Sequence, residues 1–167
     1  MEKISILKES FFLETLGKKV NKLADVELVP LVFREDERGI LLKDITATMI
    51  RKFGEHYNVI NPEPMIRGFH AHYLLWDYFC IIQGRAKFVL VDGRPLSPTC
   101  GCYTEVLLSD KTPQLLVVPP GIYHGWKSLV PNTILSSTGS ELYDPKDPDE
   151  IRVPYTSFQY KWDVDIK

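Results

Sequence analysis

Residues 78–93 read YFCIIQGRAKFVLVDG, two short runs rich in aromatic and branched side chains, divided at Gly84 and closed by Asp92-Gly93. Runs of Val, Ile, Phe and Tyr bounded by turn residues are the mark of β-strands. Outward from this pair the same unit recurs at VELVPLVF (26–33), ILLKDITATMI (40–50), TEVLLS (104–109), LLVVPP (115–120) and TILSSTG (133–139). Seven such segments, with no helical pattern between them, predict an all-β sandwich or barrel rather than a parallel α/β sheet. Ahead of them, Phe11, Phe12, Leu16 and Val20 are spaced with charges between, which favours a short amphipathic helix within 6–22 over a strand. The tail 144–167 is polar with interspersed aromatics and is expected along the outside or against a partner subunit.

Composition bounds the function. A chain of 167 residues, 44% apolar and 25% charged, predicts one globular domain over 1–167, with its core at about 26–143. Its 20 basic and 22 acidic residues leave a formal charge of −2, which excludes a strongly basic nucleic-acid binder. The apolar stretches fall short of the roughly 20 residues that span a bilayer. MEKISILKES lacks the apolar core and cleavage site of a signal peptide, so a soluble, cytoplasmic protein without a nucleic-acid or membrane partner is expected. Cys80 inside YFCII reads as a buried thiol, while Cys100 and Cys102 carry no zinc spacing and are given no role.

The chemistry concentrates in three of the four histidines. Arg67-Gly68-Phe69-His70-Ala71-His72 is followed by Asp77 and then Gly84. On a strand, residues two apart share a face, so His70 and His72 project together. Pro119-Pro120-Gly121-Ile122-Tyr123-His124-Gly125 is a turn that delivers another histidine onto a strand. His56 reads as a loop residue, and Trp76, Trp126 and Trp162 as packing residues.

These two blocks resemble the paired motifs of the cupin superfamily, H-x-H with a following acidic residue and Gly, then P-x-G-x-x-H. That resemblance implies a jelly-roll barrel with a short N-terminal extension, in agreement with the strand count. Further blocks resemble the dTDP-4-dehydrorhamnose 3,5-epimerase family in order: Arg34 to Gly39 its D-x-R-G, Ile66 to His70 its R-G-L-H, RPLSPTCG (94–101) its R-x-x-S-P-T-x-G, Val118 to Trp126 its I-P-x-G-x-x-H-G-F, and Tyr143-Asp144-Pro145 its Y-x-P. His70-Ala71-His72 and the run Ile151 to Phe158 are also similar to sugar-nucleotide 3,4-ketoisomerases.

The resemblance implies a cofactor-free, homodimeric epimerase or isomerase of a nucleotide-linked 4-ketosugar, serving deoxysugar or surface-polysaccharide synthesis. Protons beside the ketone are acidic enough for a positioned base, and the enolate then needs an acid and an oxyanion donor. His70 matches the base, with His72 assisting and Tyr143 a candidate acid. Arg38 and Arg67 match arginines on the substrate, and His124 and Asp77 border the same cavity. Two family residues are replaced: the lysine falls at Asp77 and the acid tyrosine near Ser137. Two alternatives stand beside this reading. One is a metal-dependent cupin enzyme with His70, His72, Asp77 and His124 as ligands. The other is a sugar-nucleotide-binding homologue without catalysis.

Overall fold

The computed structural model describes residues 3–8 and 17–163. Its strands form two five-stranded antiparallel sheets and a separate hairpin. The first sheet runs β1 (Glu27–Pro30), β9 (Gln114–Val118), β6 (Asp77–Gln83), β11 (Thr133–Gly139), β4 (Glu55–Asn61). The second runs β12 (Ile151–Arg152), β5 (Ile66–Ala71), β10 (Ile122–Ser128), β7 (Arg85–Asp92), β8 (Tyr103–Ser109). The hairpin is β2 (Phe33–Asp36) and β3 (Gly39–Leu42). From β4 onward successive strands alternate between the two sheets, apart from the β7–β8 hairpin, so the chain winds as a jelly roll of the cupin type.

Strand alternation explains why the sheets face each other. Phe79, Ile81, Leu116, Val118 and Leu135 from the first sheet meet Ala86, Phe88, Leu90, Leu108, Ile122 and Trp126 from the second in one buried cluster. Each such side chain contributes ~1.5–3 kcal/mol when fully buried. The opposite face of β7, Val89 and Val91, is covered by Phe69, Tyr123, Phe158 and Trp162. The tail therefore lies along the second sheet as β12, with Ile151 paired to Ala71 and Arg152 to His70, and drives two aromatics into the outer core.

Several expectations change. Only the first residues of ILLKDITATMI form a strand; beyond Leu42 the chain leaves the hairpin, and Ile45, Met49 and Ile50 cover Tyr78 and Cys80 on the outside of the first sheet. Asp44 supplies the polar anchor there, accepting from the Ser136 hydroxyl at 2.6 Å. His56 lies on β4, its ring against the Thr138 hydroxyl at 2.9 Å, rather than in a loop. Of the N-terminal segment, residues 17–22 are extended, with Val20 N–H donating to Tyr103 O and a Lys19–Tyr103 bridge; Phe11, Phe12 and Leu16 lie outside the described residues.

A buried carboxylate ties the turn 94–101 down. Asp92 accepts from Arg94 Nε at 2.9 Å, Arg94 Nη2 at 2.8 Å and Thr99 Oγ1 at 2.6 Å, together with the Arg94 amide and the Ser97 hydroxyl. The Arg-x-x-Ser-Pro-Thr block is thus a clasp that closes the turn after β7.

Candidate active site

Between the sheets opens a cavity of about 710 Å³, within the usual range for small-molecule sites. Its first wall is one face of the first sheet read at period two: Glu55, Tyr57 and Val59 from β4, Asp77 and Phe79 from β6, Leu135, Ser137 and Gly139 from β11. The facing wall carries Arg67, His70, His72 and Trp126, and the tail adds Asp149, Glu150 and Arg152 at the rim.

The histidines come together because β5 and β10 pair with His70 opposite His124. Their backbones approach unusually closely at Gly68, where a Cβ would stand 2.5 Å from Gly125 Cα and φ is +129°. Only glycine fits there, which accounts for the R-G-F-H pattern. The register shifts between His124 and Trp126, a bulge that aims the imidazole inward.

Hydrogen bonds fix the tautomers. His124 gives its Nδ1–H to Ile122 O at 3.0 Å, and His72 gives its Nδ1–H to Asp149 O at 2.6 Å. Both therefore present bare Nε2 atoms to the interior. His70 Nε2 lies 2.8 Å from His124 Nε2, so His70 is the donor and keeps its own lone pair at Nδ1. Asp77 Oδ2 sits 3.3 Å from His124 Nε2 and 3.5 Å from His72 Nε2.

Electrostatics keep His70 and His124 neutral. Burial, then the charges of His72 and Arg152, lower His70 to about 3. Burial and the neighbouring His70 and His72 hold His124 well below its ordinary value. Burial raises Asp77 to about 6 against the opposing pull of His72, with Glu150 and Asp149 adding to the rise.

The sequence-predicted residues divide clearly. His70, His72, Asp77, Arg67 and Tyr143 line one cavity, with His124 buried behind His70. Arg38 is not brought there: it stands on the β2–β3 hairpin, its side chain 83% exposed and paired with Asp36. Among the described residues no ion pair joins His70 to a carboxylate; His124 takes that place. Sequence reasoning missed Tyr57, Glu55 and Arg152. The alternation of EHYNVIN around Tyr57 and Val59 was the available signal on β4, and it is faint because its apolar residues are few.

Jelly-roll walls, a buried imidazole cluster and a cavity of this size define an enzyme of the cupin class. The chain belongs to the dTDP-4-dehydrorhamnose 3,5-epimerase family, whose model matches residues 21–167. It is 29% identical to the spore coat polysaccharide biosynthesis protein SpsL of Bacillus subtilis, over 85% of this chain and 97% of that protein. It is 30% identical to the probable low-salt glycan biosynthesis epimerase Agl13 of Haloferax volcanii, over 78% of this chain and 87% of that protein. The crystal structure of dTDP-4-dehydrorhamnose 3,5-epimerase from Bacillus anthracis with TDP and PPi bound superposes with a TM-score of 0.72 at 25% identity, covering 81% of this chain and 85% of that one. Among the described residues no helix is long and apolar enough to cross a membrane.

Proposed function

We propose that the protein epimerises or isomerises a nucleotide-linked 4-ketosugar by removing a proton beside the ketone, in the cytoplasmic synthesis of a deoxysugar or surface polysaccharide. The observation that carries this reading is a neutral, half-buried imidazole, His70, on the wall of a cavity sized for a small-molecule ligand. Its free Nδ1 lone pair accepts the proton, and the Nε2–H bond to His124 holds the ring in place. A base held near 3 is weak, and the negative charge of a bound diphosphate and developing enolate raises it.

Arg67 receives the diphosphate. Asn61 Oδ1 takes its Nε at 3.1 Å, and among the described residues no other partner occupies its terminal nitrogens, which suit phosphate oxygens. Arg152, at the rim, adds a second cation whose guanidinium is paired with Glu150. A homodimer gives Arg38 its place: the hairpin that carries it exposes Phe33 and Ile40 on one face and Leu41 on the other, apolar surface suited to a second copy.

A second reading has its own support. The bare Nε2 atoms of His72 and His124 are oriented by backbone carbonyls, an arrangement common to metal-ligating histidines. Ligand atoms of His70, His72 and His124 lie within 4.8 Å of one another. Two ligands on one tetrahedral ion with bonds of ~2.0–2.1 Å stand about 3.3 Å apart, close to the 3.3 and 3.5 Å from Asp77 Oδ2. These donors fit a divalent ion, which would supply Lewis acidity at the ketone oxygen.

One experiment separates the readings. Purified protein is incubated in D2O with a panel of nucleotide-linked 4-ketosugars, deuterium is followed by NMR, and the same sample is assayed for metal. Exchange beside the ketone without stoichiometric metal supports the first reading. About one metal per chain without exchange replaces it with the second, and tight nucleotide binding with neither result points to a binding protein.

A further inference from the structure

Inversion at a carbon needs a donor on the face away from the base. His70 projects from the second sheet, so that donor must come from the first. The tyrosine expected near position 137 is a serine, and another tyrosine stands opposite it on the neighbouring strand. Ser137 pairs with Tyr57 in the β11–β4 register, so the two side chains lie side by side on the cavity face. Ser137 is 1% exposed, and its Oγ makes no hydrogen bond of ordinary geometry, so the small side chain leaves an unsatisfied polar atom beside the phenol. We propose that Tyr57 is the acid that reprotonates the enolate on the face opposite His70, with Ser137 positioning its hydroxyl.

The other groups on the cavity wall fit the role less well. Asp77 Oδ2 is turned toward His72 and His124, the base's own side. Tyr143 follows β11 in the loop at the mouth, outside the sheet that faces His70, and it is this position that separates it from Tyr57, since the two are 54% and 48% exposed. The phenol of Tyr57 stays protonated at neutral pH: burial raises its pKa, Asp77, Glu55 and Glu150 add to the rise, and Ser137 offsets part of it.

The step balances without a co-reactant. The C–H bond beside the ketone breaks toward His70 and its electron pair passes to the ketone oxygen. A new C–H bond then forms on the opposite face with the proton of Tyr57 Oη. The phenolate regains a proton from water, and His70 releases its own.

This assignment rests on the proposed epimerase reading, and the test keeps the two apart. Tyr57→Phe, Tyr143→Phe and the unaltered protein are compared in D2O for two signals: deuterium entering beside the ketone and inversion at that carbon. Tyr57→Phe is expected to keep exchange, since His70 still removes and returns the proton on one face. Its inversion falls about 10²–10⁴-fold, a larger loss than that of Tyr143→Phe. A general packing defect would lower both signals together, and circular dichroism checks the fold. Inversion at the unaltered rate by Tyr57→Phe, or parallel loss of exchange and inversion, overturns the assignment of Tyr57 while leaving the epimerase reading standing. Silence of the unaltered protein across the panel overturns both.

Discussion

Replacing Asp92 by alanine tests whether the turn after β7 is held by one buried carboxylate. Asp92 is fully buried and accepts from two nitrogens of the Arg94 guanidinium and from the Ser97 and Thr99 hydroxyls. Removing one partner of a buried ion pair costs ~3–5 kcal/mol, because the remaining charge is stranded. Arg94 keeps the Ala24 carbonyl and Asp25, both at 2.8 Å, so the lower end of that range applies. At ~2–4 °C per kcal/mol for a chain of this size, the melting midpoint should fall by about 6–12 °C. Thermal and urea unfolding followed by circular dichroism measure it. Acid adds a second signature. Burial pushes the Asp92 carboxyl up, but the hydrogen bonds from Arg94, Ser97 and Thr99 outweigh it and leave its pKa below the ordinary 3.8. A carboxyl depressed in the folded state contributes its full stability above the unfolded pKa and loses it as pH falls toward the folded one. The unaltered protein should therefore lose stability below about pH 4, and Asp92→Asn should lack that part of the decline. A loss under about 1 kcal/mol for Asp92→Ala, the worth of an exposed pair, would refute the clasp.

Three further outcomes follow from the same geometry. His70→Asn should abolish deuterium exchange at an unchanged melting midpoint, and retained exchange would remove His70 from the mechanism. Gly68→Ala should cost about 1–3 kcal/mol from backbone strain, since the new methyl meets Gly125 at a φ of +129°; an unchanged urea midpoint would contradict the close approach of β5 and β10. Cys80 is buried and its thiol is pushed up to about 12, chiefly by burial, so maleimide at pH 8 should label Cys100 and Cys102 and spare Cys80 until the chain unfolds. Mass spectrometry of the labelled peptides decides it, and early modification of Cys80 would contradict its burial.

How far the sequence reached depends on which physics each residue obeys. His70 and His72 were legible because strand alternation is local: two positions apart means one face, whatever the partner strands do. Their union with His124 was legible only through the resemblance, since pairing of β5 with β10 joins positions 54 residues apart. Arg94, Ser97 and Thr99 were read as part of a family block, and the structure gives that block a supporting role at Asp92 rather than a place on the cavity wall. Tyr57 escaped notice because β4 is an edge strand with mostly polar residues, so its alternation gives little hydrophobic contrast. Arg38 shows the reverse: a motif match placed it with the substrate, and within one chain the hairpin carries it to solvent. The strand at 40–50 was overread for a similar reason, because apolar residues that cover a sheet from outside look like strand residues in a linear scan.

The anchoring of His72 by the Asp149 carbonyl, next to the pairing of β12 with β5, sets an order of assembly. The strands from Glu27 to Gly139 supply both walls of the barrel, while one imidazole takes its fixed tautomer only from chain made afterwards. In a nascent chain the residues that build the walls are made before the carbonyl that orients His72, and competence requires the closing segment. Within that segment, mutation at Asp149 can retune a reactive histidine from outside both five-stranded sheets, whereas Phe158 and Trp162 are needed by the outer core.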